Sequence, residues 1–95
     1  MLSNLEDEIE LIQRHVKILK LVTKNEPIGI IRLSKLGKLP PHKVRYSLRV
    51  LEHNGIIKPS PRGAVSTNKA KKFLEVLPSK LEPLADRLHE VISLL

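Results

Sequence analysis

Eleven cations, Arg32, Lys35, Lys38, Lys43, Arg45, Arg49, Lys58, Arg62, Lys69, Lys71 and Lys72, lie between Glu26 and Glu75 against a single acid, Glu52. The chemistry open to such a set is the neutralisation of a polyanion. The flanks have the opposite sign: residues 1 to 26 hold four Lys/Arg and five Asp/Glu, and residues 73 to 95 hold two and four. The formal charge of +7 is therefore concentrated in the middle of the chain, and a concentrated charge argues for a binding surface.

Other chemistries find little support. There is no cysteine, which removes disulfides, thiolate metal ligands and thiol nucleophiles. His42 and His53 are about three turns apart on one expected helix, and His15 and His89 sit in two others, so no metal site is expected. No Gly-x-Ser-x-Gly elbow, phosphate-cradling glycine loop or paired carboxylates occur in the central segment. The chain reads as a non-enzyme without a cofactor. Tyr46 and Phe73 are the only aromatic residues, too few for the stacking platforms of single-strand nucleic-acid binders. No apolar run approaches a membrane span, and Glu6, Asp7, Glu8 and Glu10 interrupt the N-terminus, so the expected location is cytoplasmic, with no membrane partner.

Ninety-five residues suit one domain, 1–95, with a modest core. Residues 3–24 read as a long helix. Ser3 with Glu6 fits a capping box, and Leu2, Leu5, Ile9, Ile12, Val16 and Leu19 alternate at spacings of three and four. From Ile18 onward the apolar face widens with Leu21 and Val22, as expected of an end that enters the core. A short helix over 28–36 follows, with Ile30, Ile31 and Leu33 inward and Gly37 as its stop. Pro41 suits the first turn of a third helix over 41–54, and Gly55 suits its left-handed C-terminal stop.

Two short strands, 56–58 and 64–66, are expected around a loop over 59–63. Thr67 caps a last helix over 68–95, in which Leu74, Leu77, Leu81, Leu84, Leu88, Val91 and Leu95 keep one phase. Pro78 and Pro83 either kink or split that helix. On a helical wheel Val44, Leu48 and Leu51 share one face of the third helix. His42, Tyr46, Arg49 and His53 lie opposite, with Lys43 and Arg45 between.

The fold class is thus mainly α, with a short two-stranded hairpin and long N- and C-terminal helices. Residues 27–67 resemble the winged helix-turn-helix DNA-binding family. The matching pieces are Ile31, Leu33 and Ser34, then residues 44–52 (Val-Arg-Tyr-Ser-Leu-Arg-Val-Leu-Glu), Asn54-Gly55-Ile56-Ile57, and Val65-Ser66-Thr67. With its flanking helices and small size, the chain is similar to short archaeal predicted transcriptional regulators.

The resemblance implies that helix 41–54 enters the major groove of double-stranded DNA and that wing 59–63 touches the backbone. Carried over by position, His42, Lys43, Arg45, Tyr46 and Arg49 face the DNA. Arginine pairs bidentately with guanine, which favours Arg49 and then Arg45 as base readers. Lys38, Lys43 and Lys58 are better placed on phosphate, and Arg62 is the wing contact. Tyr46 either joins that surface or packs against the turn, Arg32 and Lys35 also fit the wet side of their helix, and Lys69, Lys71 and Lys72 also fit the polar side of theirs.

The leucine patterns of the flanking helices exceed what a winged core needs. Leu5, Ile9, Ile12, Leu81, Leu84, Leu88 and Val91 are therefore expected to hold a homodimer. The alternative is a winged helix that binds a protein partner within a larger complex.

Overall fold

In the computed structural model, which describes residues 2–95, helices and one hairpin follow in the expected order. They are α1 (Leu2–Asn25), α2 (Ile30–Gly37), α3 (Pro41–His53), β1 (Ile57–Ser60), β2 (Gly63–Ser66) and α4 (Asn68–Ser93). This is the mainly helical architecture with a two-stranded wing that the sequence implied.

The first helix enters the core only at its end: Ile18, Leu19 and Val22 are fully buried there, whereas Leu2 to Glu10 are exposed. Its described part runs from Leu2, so Ser3 lies inside the helix and does not cap it. The Ser3–Glu6 capping box is thereby corrected.

The second helix is shorter than expected. Ile28 does not start it but pairs with Ala64, Ile28 N donating to Ala64 O at 3.1 Å and Ala64 N to Ile28 O at 2.8 Å. The wing thus gains a one-residue third strand, and it leaves no room at Gly63. A Cβ there would stand 2.4 Å from the Ile28 carbonyl carbon, on a backbone with φ of +132°. Within α2, Leu33 is buried but Ile31 is 72% exposed, against the expectation that it faces inward.

Gly37 is still helical and is closely packed: a Cβ at that position would stand 3.3 Å from Leu21 Cδ1. The left-handed stop falls one residue later, on Lys38, with φ of 53°. Leu39 N then donates to Ser34 O at 3.1 Å, and the Ser34 hydroxyl donates to Leu39 O. Left-handed geometry costs a lysine roughly 1 to 2 kcal/mol.

At the end of α3 the local signals hold. Gly55 has φ of +70°, its N donates to Glu52 O at 2.9 Å, and Ile56 N donates to Leu51 O at 2.9 Å. This is the paired closure of a Schellman motif, with Ile56 and Leu51 both buried behind it. The core also takes in Val44, Leu48 and Ile57.

The hairpin is tighter than expected. Ile57 pairs with Ser66 and Ser60 with Gly63, so Pro59, Ser60 and Gly63 belong to strands and only Pro61 and Arg62 form the turn. Glu26 anchors the far end of the wing, its Oε1 accepting from Ser66 N at 2.9 Å and its Oε2 from Ser66 Oγ at 2.8 Å.

Thr67 caps α4 as expected, its hydroxyl oxygen accepting from Lys69 N at 3.2 Å. The helix runs unbroken through both Pro78 and Pro83. Ala70 is its one fully buried residue, Phe73, Leu74, Leu77 and Leu81 are half-buried, and everything after Leu81 is exposed. No helix among the described residues is long and apolar enough to cross a membrane.

Candidate nucleic-acid interface

The third helix splits as its wheel indicated. Val44, Ser47, Leu48 and Leu51 are buried, while His42, Arg45, Tyr46, Arg49 and His53 face out. Lys43 is half-buried between the two faces. Its Nζ stands 3.4 Å from Glu10 Oε1 of α1, the one ion pair among the described residues. Both side chains are substantially exposed, so this pair holds Lys43 only weakly.

One shallow cavity of about 480 Å³ gathers five of the expected residues, His42, Lys43, Arg45, Tyr46 and Arg49, around Arg14 of α1. No acid lines it. Arg14 is the residue the sequence reading missed. Its Nε is buried and has no hydrogen-bond partner among the described residues. Nothing in the primary structure marks Arg14, because its position beside α3 depends on how the two helices cross.

A second depression of about 780 Å³ lies between α2 and α3, with Arg32, Lys35 and Arg45 at its polar edge and Ile30 and Ile31 among its apolar lining. Arg45 is common to both, so two helices' cations converge on it. Arg32 and Lys35 are thereby brought beside a candidate reader. Lys38, Lys58 and Arg62 are exposed elsewhere: at the turn before α3, on β1, and at the hairpin turn. None of the three lines either depression.

Tyr46 is 47% exposed and its ring centroid lies 6.0 Å from that of His15, so it rests partly on α1 while its other side stays on the surface. His15 Nδ1 in turn makes a 2.8 Å hydrogen bond with Ser47 Oγ, the one fully buried polar side chain among the described residues. Partial burial, and then the charge of Arg14, lower the His15 pKa below 6.5. The unfolded chain therefore binds a proton that the folded one refuses over the interval below 6.5. Stability is expected to fall as pH drops through that interval, and His15→Gln is expected to flatten the slope. Urea midpoints measured from neutral pH down to about pH 5 check this.

The residues expected to hold a dimer are on the surface. Leu5, Ile9 and Ile12 on α1 and Leu84, Leu88 and Val91 on α4 are exposed, and Leu81 is half-covered.

The sequence matches no family model and no curated protein. Among solved structures, the chain is similar to the activation domain of the phage T4 transcription factor MotA. The TM-score is 0.60 at 20% identity, covering 78% of this chain and 80% of that one. At that identity the likeness concerns the fold: helices around a small hairpin in the same arrangement.

Proposed function

We propose that this chain is a non-enzymatic transcriptional regulator that binds double-stranded DNA as a homodimer, with α3 in the major groove and the Pro61–Arg62 turn on the backbone. The observation that carries the reading is the cluster on and beside α3, whose cavity no acid lines and whose one paired cation is Lys43, 3.4 Å from Glu10. There His42, Arg45, Tyr46 and Arg49 project from a helix whose opposite side is locked into the core.

Arg45 and Arg49 read bases and Lys38, Lys43 and Lys58 bind phosphate, a division that follows from guanidinium and ammonium geometry, while Arg62 meets the backbone because it sits on the hairpin turn. Arg14 adds a cation from α1 to the same cavity. Two-fold symmetry would set the recognition helices about 34 Å apart, on an inverted repeat one helical turn in spacing.

Titration of a mixed-sequence duplex at two salt concentrations tests the reading. Binding is expected to weaken by about 0.9 log units per neutralised phosphate for each decade of salt. Affinity that is negligible at both concentrations would sink it.

A second reading has its own support. The similar solved structure is named as an activation domain, and this chain carries an apolar groove beside α4, so a protein-binding winged helix is the alternative. It predicts negligible affinity for any duplex.

A further inference from the structure

The groove between α3 and α4 is closed at one end. There Thr67 N donates to Ile56 O at 3.0 Å and Thr67 Oγ1 to Gly55 O at 2.7 Å, which ties the end of α3 to the start of α4. The other end lies at His15, whose partner Ser47 precedes Asn54 by seven residues of α3, about 10 Å of helix. The volume is about 720 Å³, within the ~300 to 1,000 Å³ of small-molecule sites, and Leu51, Ile56, Phe73, Val76 and Leu77 are among its apolar lining.

Polar groups gather at the closed end. Asn54, Asn68, Lys69 and Lys72 line it there, and Lys69 folds over the end of α3, its Nζ 3.4 Å from where a Cβ on Gly55 would stand. Lys69 and Lys72 are neighbours on one face of α4, with Cβ atoms about 5 to 6 Å apart, close enough for both ammonium groups to meet one carboxylate. No acid lines the groove, and neither lysine has an ion-pair partner among the described residues. The open end holds a single further cation, Lys80.

This distribution selects the occupant. All three lysines stand on the α4 margin and two of them converge at the tie, so the complementary ligand carries one anionic head and an apolar body. The closed end suits a ligand that terminates there better than a partner's helix, about 10 Å across, that runs through. From Lys69 to Lys80 is eleven residues, about 16 Å of helix. An extended chain of roughly twelve C–C bonds, each about 1.5 Å long, covers that span.

We infer that the groove binds an aliphatic monocarboxylate of about twelve carbons, its carboxylate on Lys69 and Lys72 and its chain over Phe73, Val76 and Leu77 toward His15. This site goes beyond the proposed function and is independent of duplex binding and of dimerisation.

Dodecanoate below its micellar concentration is the probe, followed by amide NMR shifts of the whole chain. Saturable shifts are expected at His15, Phe73, Val76 and Leu77. Replacing both Lys69 and Lys72 by Ala is expected to weaken binding roughly fivefold or more. Val76→Asp is expected to abolish it, and Val76 is 39% exposed, so the fold tolerates the change. Lys71→Ala, outside the lining, should leave affinity unchanged. Dodecyltrimethylammonium, with the same chain and the opposite charge, should not bind. The inference is overturned if dodecanoate gives no saturable shifts, or if the cationic amphiphile binds as tightly, which would reduce the site to an apolar surface. It is equally overturned if Lys80→Ala weakens binding more than the double variant, which would put the head at the open end. Shifts of the same residues on dilution without ligand would place a second copy in the groove and also overturn it.

Discussion

Gly63→Ala is expected to cost on the order of 3 to 5 kcal/mol, enough to leave a small domain largely unfolded. Two independent penalties meet there. The backbone holds φ of +132°, which side-chain-bearing residues rarely adopt. The added carbon would also sit 2.4 Å from the Ile28 carbonyl carbon and 2.6 Å from its oxygen. Those are backbone atoms fixed by the 2.8 Å and 3.1 Å bonds between Ile28 and Ala64, so relief requires breaking the rung that ties the wing to the helices. Gly29→Ala is the control: nothing lies within 4 Å of its Cβ position and its φ is −93°, so the change stays within about 1 kcal/mol. Urea unfolding followed by circular dichroism separates the two. Equal midpoints would mean that the contact at Gly63 yields easily.

How far the fold was legible depended on whether the cause of each feature was local. The inward half of α1, the buried side of α3, the Gly55 stop and the Thr67 cap all follow from spacings of one to four residues, and all are found. Two of the misplacements have a different origin, while the Ser3–Glu6 cap and the inward Ile31 are local readings that failed. Ile28 reads as helical until Ala64, thirty-six residues on, supplies a strand partner. Gly37 reads as a helix stop, but it stays helical with Leu21 of α1 packed close to it, and the left-handed position falls on Lys38.

The candidate surface divides along the same line. Residues contributed by α3 were visible as a wheel, because one helix face is a local property. Arg14 was not, because its place beside Tyr46 and Arg49 is set by the crossing of α1 and α3. Glu26 likewise counts as one more flanking acid in sequence, yet in three dimensions both its oxygens are held by Ser66. That fixes where this carboxylate stands, at the Ser66 end of the hairpin.

Under the proposed function, Arg49→Ala is expected to flatten discrimination between duplexes, costing about 1 to 3 kcal/mol on the preferred site and much less elsewhere. Lys43→Ala should instead weaken every duplex by a similar factor and reduce the salt slope by about 0.9. The reason lies in position as well as chemistry. Arg49 is exposed on the outward side of α3, opposite the buried Leu48 and Leu51, whereas Lys43 lies to one side and already leans toward Glu10 at 3.4 Å. Lys43 must give up that contact to meet a phosphate, so Glu10→Gln should tighten binding to all duplexes alike, by a modest factor because the pair is exposed. Competition titrations of the three variants against a selected site and a scrambled one provide the readout. If Arg49→Ala and Lys43→Ala weaken both duplexes in the same ratio, neither side chain reads sequence, and discrimination must come from Arg45, where the cations of α2 and α3 converge.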